Sequence, residues 1–283
     1  MTDATSPRMP KVSRRSKIHY WSHRGRRAHP TTFVHRLGSA VVLPVGLVLV
    51  AAFVATGAVV IPTPYSVKAG TLLAALGASF IRLMIAYAFS LGIGVALVLL
   101  AERGRRLESA LLPVFDVLES MPVLAFFPVI IILFLRANLI EGAAIFIIFF
   151  SMVWNIAFSV VGGVRQTPAD VKAIGTVFEL SRMQRFWKIM LPAVFPAILT
   201  GSILALADGW NIVIVAEALH AYAPQSQGAH DLFGIGSILV TSSTTGDNAT
   251  LIAAMGILVV AIALVNIAVW QPLLAYAERY KFE

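Results

Sequence analysis

Residues 79–100 form an unbroken stretch of 22 in which the single charged side chain is Arg82. Few features constrain a fold more. About 20 apolar residues are what an α-helix needs to cross a hydrocarbon layer near 30 Å thick, and in lipid the backbone must satisfy its own hydrogen bonds. Reading for such runs along the chain predicts six spans, at about 37–60, 79–100, 121–139, 141–163, 192–219 and 249–273. The third is the least regular, because Pro113, Pro122 and Pro128 each remove a backbone donor, which predicts a bent or broken helix there. Residues 70–80 are mildly amphipathic and are expected to lie on the outer surface ahead of the second span. A chain that is 58% hydrophobic and 13% charged reads as an all-α membrane protein rather than a soluble domain.

The basic residues set the orientation. Residues 1–36 hold nine Lys and Arg against Asp3 alone, which accounts for the whole formal net charge of +8. The basic character therefore describes a tail and gives no reason to expect nucleic acid. A polybasic segment beside a first span is expected to rest on anionic lipid. The chain thus divides into a basic cytoplasmic tail, 1–36, and a membrane domain, 37–283. The long basic region and the full-length run after it argue against a cleaved signal peptide. By the excess of Lys and Arg on the cytoplasmic side, the tail, Arg103, Arg105 and Arg106, the loop 165–191, and Arg279 and Lys281 fall inside, with both termini. The outer loop 220–248 holds neither Lys nor Arg.

The longest inner loop carries "TVFELSRMQRFWKIMLP". Met183, Phe186, Trp187, Met190 and Leu191 recur at the spacing of one helix face, and Arg182, Arg185 and Lys188 recur every three residues beside it. Thr167 or Asp170 is placed to cap a first short helix. Leu191-Pro192 is expected to stop the amphipathic helix and open the fifth span. Periodicity alone leaves two readings, a helix resting on the lipid surface and a docking surface for a cytoplasmic partner.

Signs of chemistry are sparse. No phosphate-cradling G-x-x-x-x-G-K-[ST] string occurs, and no Lys follows a Gly, so an ATP-driven chain of this kind needs its motor on another subunit. Cysteine is absent, which excludes disulfides and thiolate metal sites. Four of the six His lie in the tail, and His220, His230 and Asp231 lack the spacing of a metal site. Gly234 and Gly236 read as a turn. Ionisable residues inside spans are functional candidates by default, and these are Arg82, Asp208 and Glu217. At 100° per residue Trp210 and Glu217 share one face of the fifth span while Asp208 and Asn211 share another, which places that span at the centre of the bundle. Arg82 is expected to pair with Asp208 or Glu217. Asp208, Trp210, Asn211 and Glu217, with Ser151 and Asn155, are candidates for lining a translocation path. Gly92 and Gly94 are expected to let helices approach closely.

Four strings, "SRMQRFWKIMLPAVFPAI", "GWNIVIVAEAL", "FGIGSILV" and "WQPLLAYAERYKFE", resemble the permease subunits of ATP-binding-cassette importers of the nitrate, sulfonate, taurine and bicarbonate group, over about residues 72–275. The resemblance implies the type I importer transmembrane-domain fold with six transmembrane helices, in a bacterial or archaeal cytoplasmic membrane. It implies a homodimer of permease copies, two cytoplasmic ATPase subunits that hold ATP and Mg, and an extracytoplasmic substrate-binding protein. No enzyme activity and no cofactor are implied for this chain. In that family the loop carries Glu-Ala-Ala, three residues, Gly, nine residues and Ile-x-Leu-Pro, and its short helix sits in a groove of the ATPase. Here Ile189-Met190-Leu191-Pro192 matches, Glu179 stands at the Gly, and Ala173-Ile174-Gly175 stands at Glu-Ala-Ala. By resemblance, Phe178, Glu179, Leu180, Ser181, Arg182, Met183 and Arg185 are the ATPase-coupling residues. The implied function is inward movement of a small anionic solute by alternating access. The residues leave two other classes open, a proton- or cation-coupled secondary transporter using Asp208 and Glu217, and a membrane scaffold.

Overall fold

Helices account for every regular element among the described residues, which in this computed structural model are 68–101, 113, 115, 117–219 and 231–277. All of them belong to one unit, Val50–Glu283. The 37–60 span, the basic tail, Arg103, Arg105, Arg106, His220, His230, Arg279 and Lys281 lie outside them. In chain order the elements are α1 (Ala69–Ala101), α2 (Val123–Arg136), α3 (Ile140–Gln166), α4 (Ala169–Val177) and α5 (Arg182–Arg185). A π turn (Phe186–Met190) then leads into α6 (Leu191–Glu217), followed by α7 (Ile235–Thr245), α8 (Asn248–Val265), a second π turn (Asn266–Trp270) and α9 (Gln271–Ala277).

Four helical runs are long and apolar enough to span a membrane: Ala69–Leu100, Ile140–Gln166, Arg182–Glu217 and Asn248–Ala277. The expected third span is shorter. Pro122 precedes α2, and Asn138, at a φ of 53°, turns the chain just after it, leaving 14 residues or about 21 Å of helix. Residues 70–80 do not lie apart on a surface as expected. They continue into the span as one 33-residue helix, because nothing between them breaks it, and Leu72 and Ala75 are buried. The outer loop also holds an element that apolar runs do not reveal: α7 has 11 residues rich in Ser and Thr, too short for a span.

α3 packs along α6, and α1 packs on α3. Lipid tails are as apolar as leucine, so close van der Waals fit rather than hydrophobic expulsion must hold such helices together. Small residues make the fit possible. A Cβ at Gly201 would lie 2.7 Å from Ser159 Cβ and 2.9 Å from the Asn155 carbonyl, and one at Gly94 would lie 2.5 Å from Ile156 Cγ2. Gly92, expected to act likewise, has nothing within 4 Å, because it sits about 200° around the helix from Gly94. Leu83, Ile147, Ile148, Met152 and Ile156 fill the interior, and the Tyr87 hydroxyl donates to Ser202 Oγ at 2.9 Å, tying α1 to α6.

Leu191-Pro192 does not stop the preceding helix. The run Arg182–Glu217 is continuous over 36 residues, and the π turn explains how. A proline ring crowds the carbonyl four residues back, here that of Lys188, and removes the hydrogen bond to it. In the π turn the Leu191 N–H instead reaches the Phe186 carbonyl, five residues back, which widens the coil just before the proline. The second π turn repeats the device: Gln271 N–H bonds Asn266, and Pro272 comes next.

Replacing Gly201 by Ala is expected to cost about 1–3 kcal/mol through overpacking against the α3 backbone, whereas Gly92→Ala is silent. Thermal unfolding of the two variants in lipid nanodiscs measures the contrast.

Candidate functional site

At the end of the bundle where α3 begins and α6 stops, one guanidinium gathers four segments. Glu217, the last residue of α6, is completely buried. Its Oε1 accepts from Arg82 Nη1 at 2.7 Å, and its Oε2 accepts from Ser79 Oγ at 2.9 Å and from the Gly236 N–H at 2.8 Å. The other edge of Arg82 forks onto Glu141 in the first turn of α3, with Nε at 2.6 Å from Oε2 and Nη2 at 2.8 Å from Oε1. Nη1 also donates to the Phe233 carbonyl at 3.0 Å, and the Ile235 N–H donates to Ser79 Oγ at 2.9 Å. Ion pairs inside a membrane domain persist when hydrogen bonds compensate the buried charges, and this network supplies four to Arg82 and three to Glu217.

Gly234 and Gly236 are not an isolated turn. They open α7 against the buried carboxylate: a Cβ at Gly234 would overlap the Glu217 side chain, and one at Gly236 would come 2.6 Å from Ile214 Cα. Of the two partners that the sequence offers Arg82, the structure selects Glu217. Glu141 is the member that sequence reading misses, since a charge at the end of an apolar run reads as an interfacial residue. Its signal is the arithmetic of one cation facing more than one carboxylate in the spans.

The candidate path residues separate. Glu217 and Trp210 are enclosed by protein, Trp210 being stacked on Phe80 with ring centroids 6.2 Å apart. Asp208 and Asn211 are exposed on α6, while Ser151 and Asn155 are half-buried on α3. The Asp208 carboxylate accepts a hydrogen bond from Asn155 Nδ2.

The opposite end of α3 and α6 carries α4 and α5. Neither Thr167 nor Asp170 caps α4: Pro168 stands at the cap position, and Thr167 Oγ1 instead donates to the Gly163 carbonyl at 2.9 Å, closing α3. Lys172 Nζ closes it further through the Val164 carbonyl at 2.7 Å. The helix expected through 176–188 breaks at Phe178–Leu180. There the Leu180 N–H bonds the Gly175 carbonyl at 2.9 Å and the Glu179 N–H bonds Thr176 at 3.1 Å, the two bonds of a Schellman ending. A new helix starts at once, because Ser181 and Gln184 form a reciprocal capping box, with bonds of 3.3 and 3.0 Å. Phe178 is 69% exposed and Met183 and Trp187 are each 59% exposed, whereas Phe186 and Met190 are buried. The apolar face read from spacing is thus divided, Met183 and Trp187 turned outward and Phe186 and Met190 turned inward.

This arrangement pairs a closed ionic cluster at one end with an exposed aromatic and basic platform at the other. Residues 88–274 match the family described as binding-protein-dependent transport system inner membrane component. The chain belongs to this family. It is 32% identical over 142 residues to the nitrate import permease protein NrtB of Synechocystis sp., covering 50% of each chain. It is 34% identical over 140 residues to the bicarbonate transport system permease protein CmpB of Synechococcus elongatus, covering 50% of this chain and 49% of that one. The matched region spans about half the length of these relatives. Among solved structures, an inward-facing MetNI methionine ABC transporter chain shares the fold, with a TM-score of 0.58 and 18% identity over 74% of this chain and 97% of that one. The resemblance carried by the four sequence strings therefore holds, and the chain is a multi-pass permease component of the inner membrane.

The pattern that the sequence resemblance implies has Gly at position 179. The structure holds Glu179 at a φ of 48°, the left-handed conformation that a residue with a Cβ adopts at a cost of roughly 1–2 kcal/mol. Gly175 serves packing instead, since a Cβ on it would meet the Arg185 stem at 2.5 Å.

This geometry has two measurable outcomes. Arg82→Gln strands Glu217 without its cation and is expected to cost about 3–5 kcal/mol, while Glu141→Gln at the exposed rim costs about 1 kcal/mol or less; thermal midpoints of the purified variants rank them. Glu179→Gly is expected to slow amide exchange across residues 178–181 by roughly fivefold, the equivalent of about 1 kcal/mol, and Glu179→Val to speed it. Equal exchange in all three forms would refute the strain.

Proposed function

We propose that the chain is the transmembrane subunit of an ATP-driven importer that moves a small anionic solute inward by alternating access. In this reading it has six spans, the described four joined by 37–60 and by the short α2, with both termini in the cytoplasm and the basic tail on anionic lipid. It works as a pair with a second copy, with two ATPase subunits that carry ATP and Mg, and with an extracytoplasmic binding protein.

One observation carries the reading. Arg182, Met183 and Arg185 of the platform and the polar part of α6 lie on a single continuous helix, Arg182–Glu217. A push on them, or on Phe178, Glu179, Leu180 and Ser181 just ahead of the helix, is therefore conveyed along it to Asp208 and Asn211. Aromatic and arginine side chains are the usual anchors of a protein interface, and Phe178, Arg182 and Met183 are exposed to serve as such. ATP binding by the partner would close the ATPase pair, move the platform and open the path outward; hydrolysis would reset it. The nitrate and bicarbonate permeases to which the chain is similar favour small anions as cargo. Against a secondary transporter that uses both Asp208 and Glu217 stands the closure of Glu217 by Arg82, Ser79 and Gly236, which leaves that carboxylate no open approach.

The double variant Phe178→Ser, Arg182→Glu is expected to lose the co-purifying ATPase and ATP-dependent uptake together, with the permease still folded. Arg185 is left intact because its stem packs on Gly175. Retention of both the ATPase and uptake would sink the coupling assignment, and uptake without ATP would favour the secondary transporter.

A further inference from the structure

A groove runs between α1 and α3, and the end of it nearest the start of α3 is closed by charge. Its walls are two helical stripes. On α1, Ile85, Phe89 and Ile93 follow Arg82 by three, seven and eleven residues; on α3, Ile145 and Phe149 follow Glu141 by four and eight. Those spacings keep each set on one face, so both apolar walls lead up to the Arg82–Glu141 ion pair, which roofs the groove. α2 closes a third side through Phe134, whose ring is so near Gly142 that a Cβ there would come within 2.9 Å of it. Every lining residue is apolar or glycine, and Ile85, Phe89 and Ile93 are exposed.

Width decides what can enter. The groove holds about 400 Å³. Spread along the eight residues from Ile85 to Ile93, about 12 Å of helix, that volume leaves a slot about 6 Å wide. A helix, about 10–12 Å across with its side chains, covers such a slot without entering it. This separates an inserted chain from a second copy of the protein and from residues 37–60 alike. A single acyl chain is slender enough, and the length suits it, since one leaflet of a core about 30 Å thick is about 15 Å deep.

The roof decides the head. It sets one guanidinium against two carboxylates, Glu141 and Glu217. The Arg82 side chain is 7% exposed and that of Glu217 is enclosed, whereas Glu141 is 57% exposed, so the mouth of the groove presents a carboxylate. Each Glu141 oxygen accepts one bond from Arg82 and keeps a lone pair open. Residues 37–67 carry no charged side chain and bring no cation to it.

We propose that the groove between α1, α2 and α3 binds a phospholipid with a primary ammonium headgroup, one acyl chain lying between Phe89 and Phe149 and the ammonium donating to Glu141. The headgroup supplies the second cation that two carboxylates call for. The inference goes beyond the permease reading and holds whatever the cargo.

Phosphatidylethanolamine, phosphatidylcholine and phosphatidylglycerol with identical acyl chains are the probes. The full-length permease with its co-purifying ATPase is placed in nanodiscs holding the three in equal amounts, and native mass spectrometry counts the lipid that each permease copy retains. Wild type is expected to keep one phosphatidylethanolamine, by about tenfold over phosphatidylcholine, whose quaternary nitrogen has no N–H to donate, and over phosphatidylglycerol. Glu141→Gln is expected to lose that preference. Ile93→Trp, which fills the groove and leaves the roof intact, is expected to lose the retained lipid. Equal retention of the three lipids by wild type overturns the inference without recourse to any variant, and so does an unchanged preference in Glu141→Gln. Dissociation of the permease pair in Ile93→Trp, read by size-exclusion chromatography with light scattering, also overturns it by assigning the groove to the subunit interface.

Discussion

A guanidinium buried among membrane helices must be surrounded by acceptors, and Arg82 meets that demand with two carboxylates and a carbonyl drawn from α3, α6 and the lead into α7. The rest of the architecture hangs on this. Between greasy helices there is little to specify which pairs meet or at what height, since one leucine surface packs on another about as well as on lipid. An ion network with fixed directions supplies that specificity. It sets the height of α1 against the start of α3 and the end of α6, and it brings a polar 11-residue helix back against the spans by giving its first two amides a hydroxyl and a carboxylate to bond.

The opposite end is built on different physics. Its helices are short, their ends are satisfied locally by a Schellman pair and a capping box, and the largest apolar side chains point outward. The platform is tied to the bundle by the Lys172 bond to the Val164 carbonyl, by the buried Phe186 and Met190, and by covalent continuity through a proline, which a π turn makes tolerable. Pro192 and Pro272 each come after a π turn with one residue between, so the same solution appears on both of the long helices that contain a proline near a π turn.

Much of this is legible in the sequence, and the gaps have physical causes. Apolar runs locate four spans to within a few residues at most ends, because the hydrocarbon thickness dictates length. They fail at 70–80, where amphipathicity mimics a surface helix although no breaker separates it from the span, and at α7, whose Ser and Thr residues carry no apolar period. Polar residues inside spans point to Arg82, Asp208 and Glu217 without saying which will pair. Partner choice depends on helix heights, and those depend on Glu141, Gly234 and Gly236, each unremarkable in one dimension. At the platform, the departure at Glu179 is visible as a mismatch. Its reason, a left-handed backbone, is not.

The π turns also fix an angle. An ordinary α-helix advances about 100° per residue, so a turn that holds one extra residue rotates everything before it by that amount relative to everything after. Phe186–Met190 is therefore the setting of a dial between two faces of one rod: it determines toward which side Arg182 and Met183 look relative to Asp208 and Asn211. Lineages that gain or lose a single residue in this segment would keep the span, the proline and the platform, and would turn the platform by more than a quarter circle.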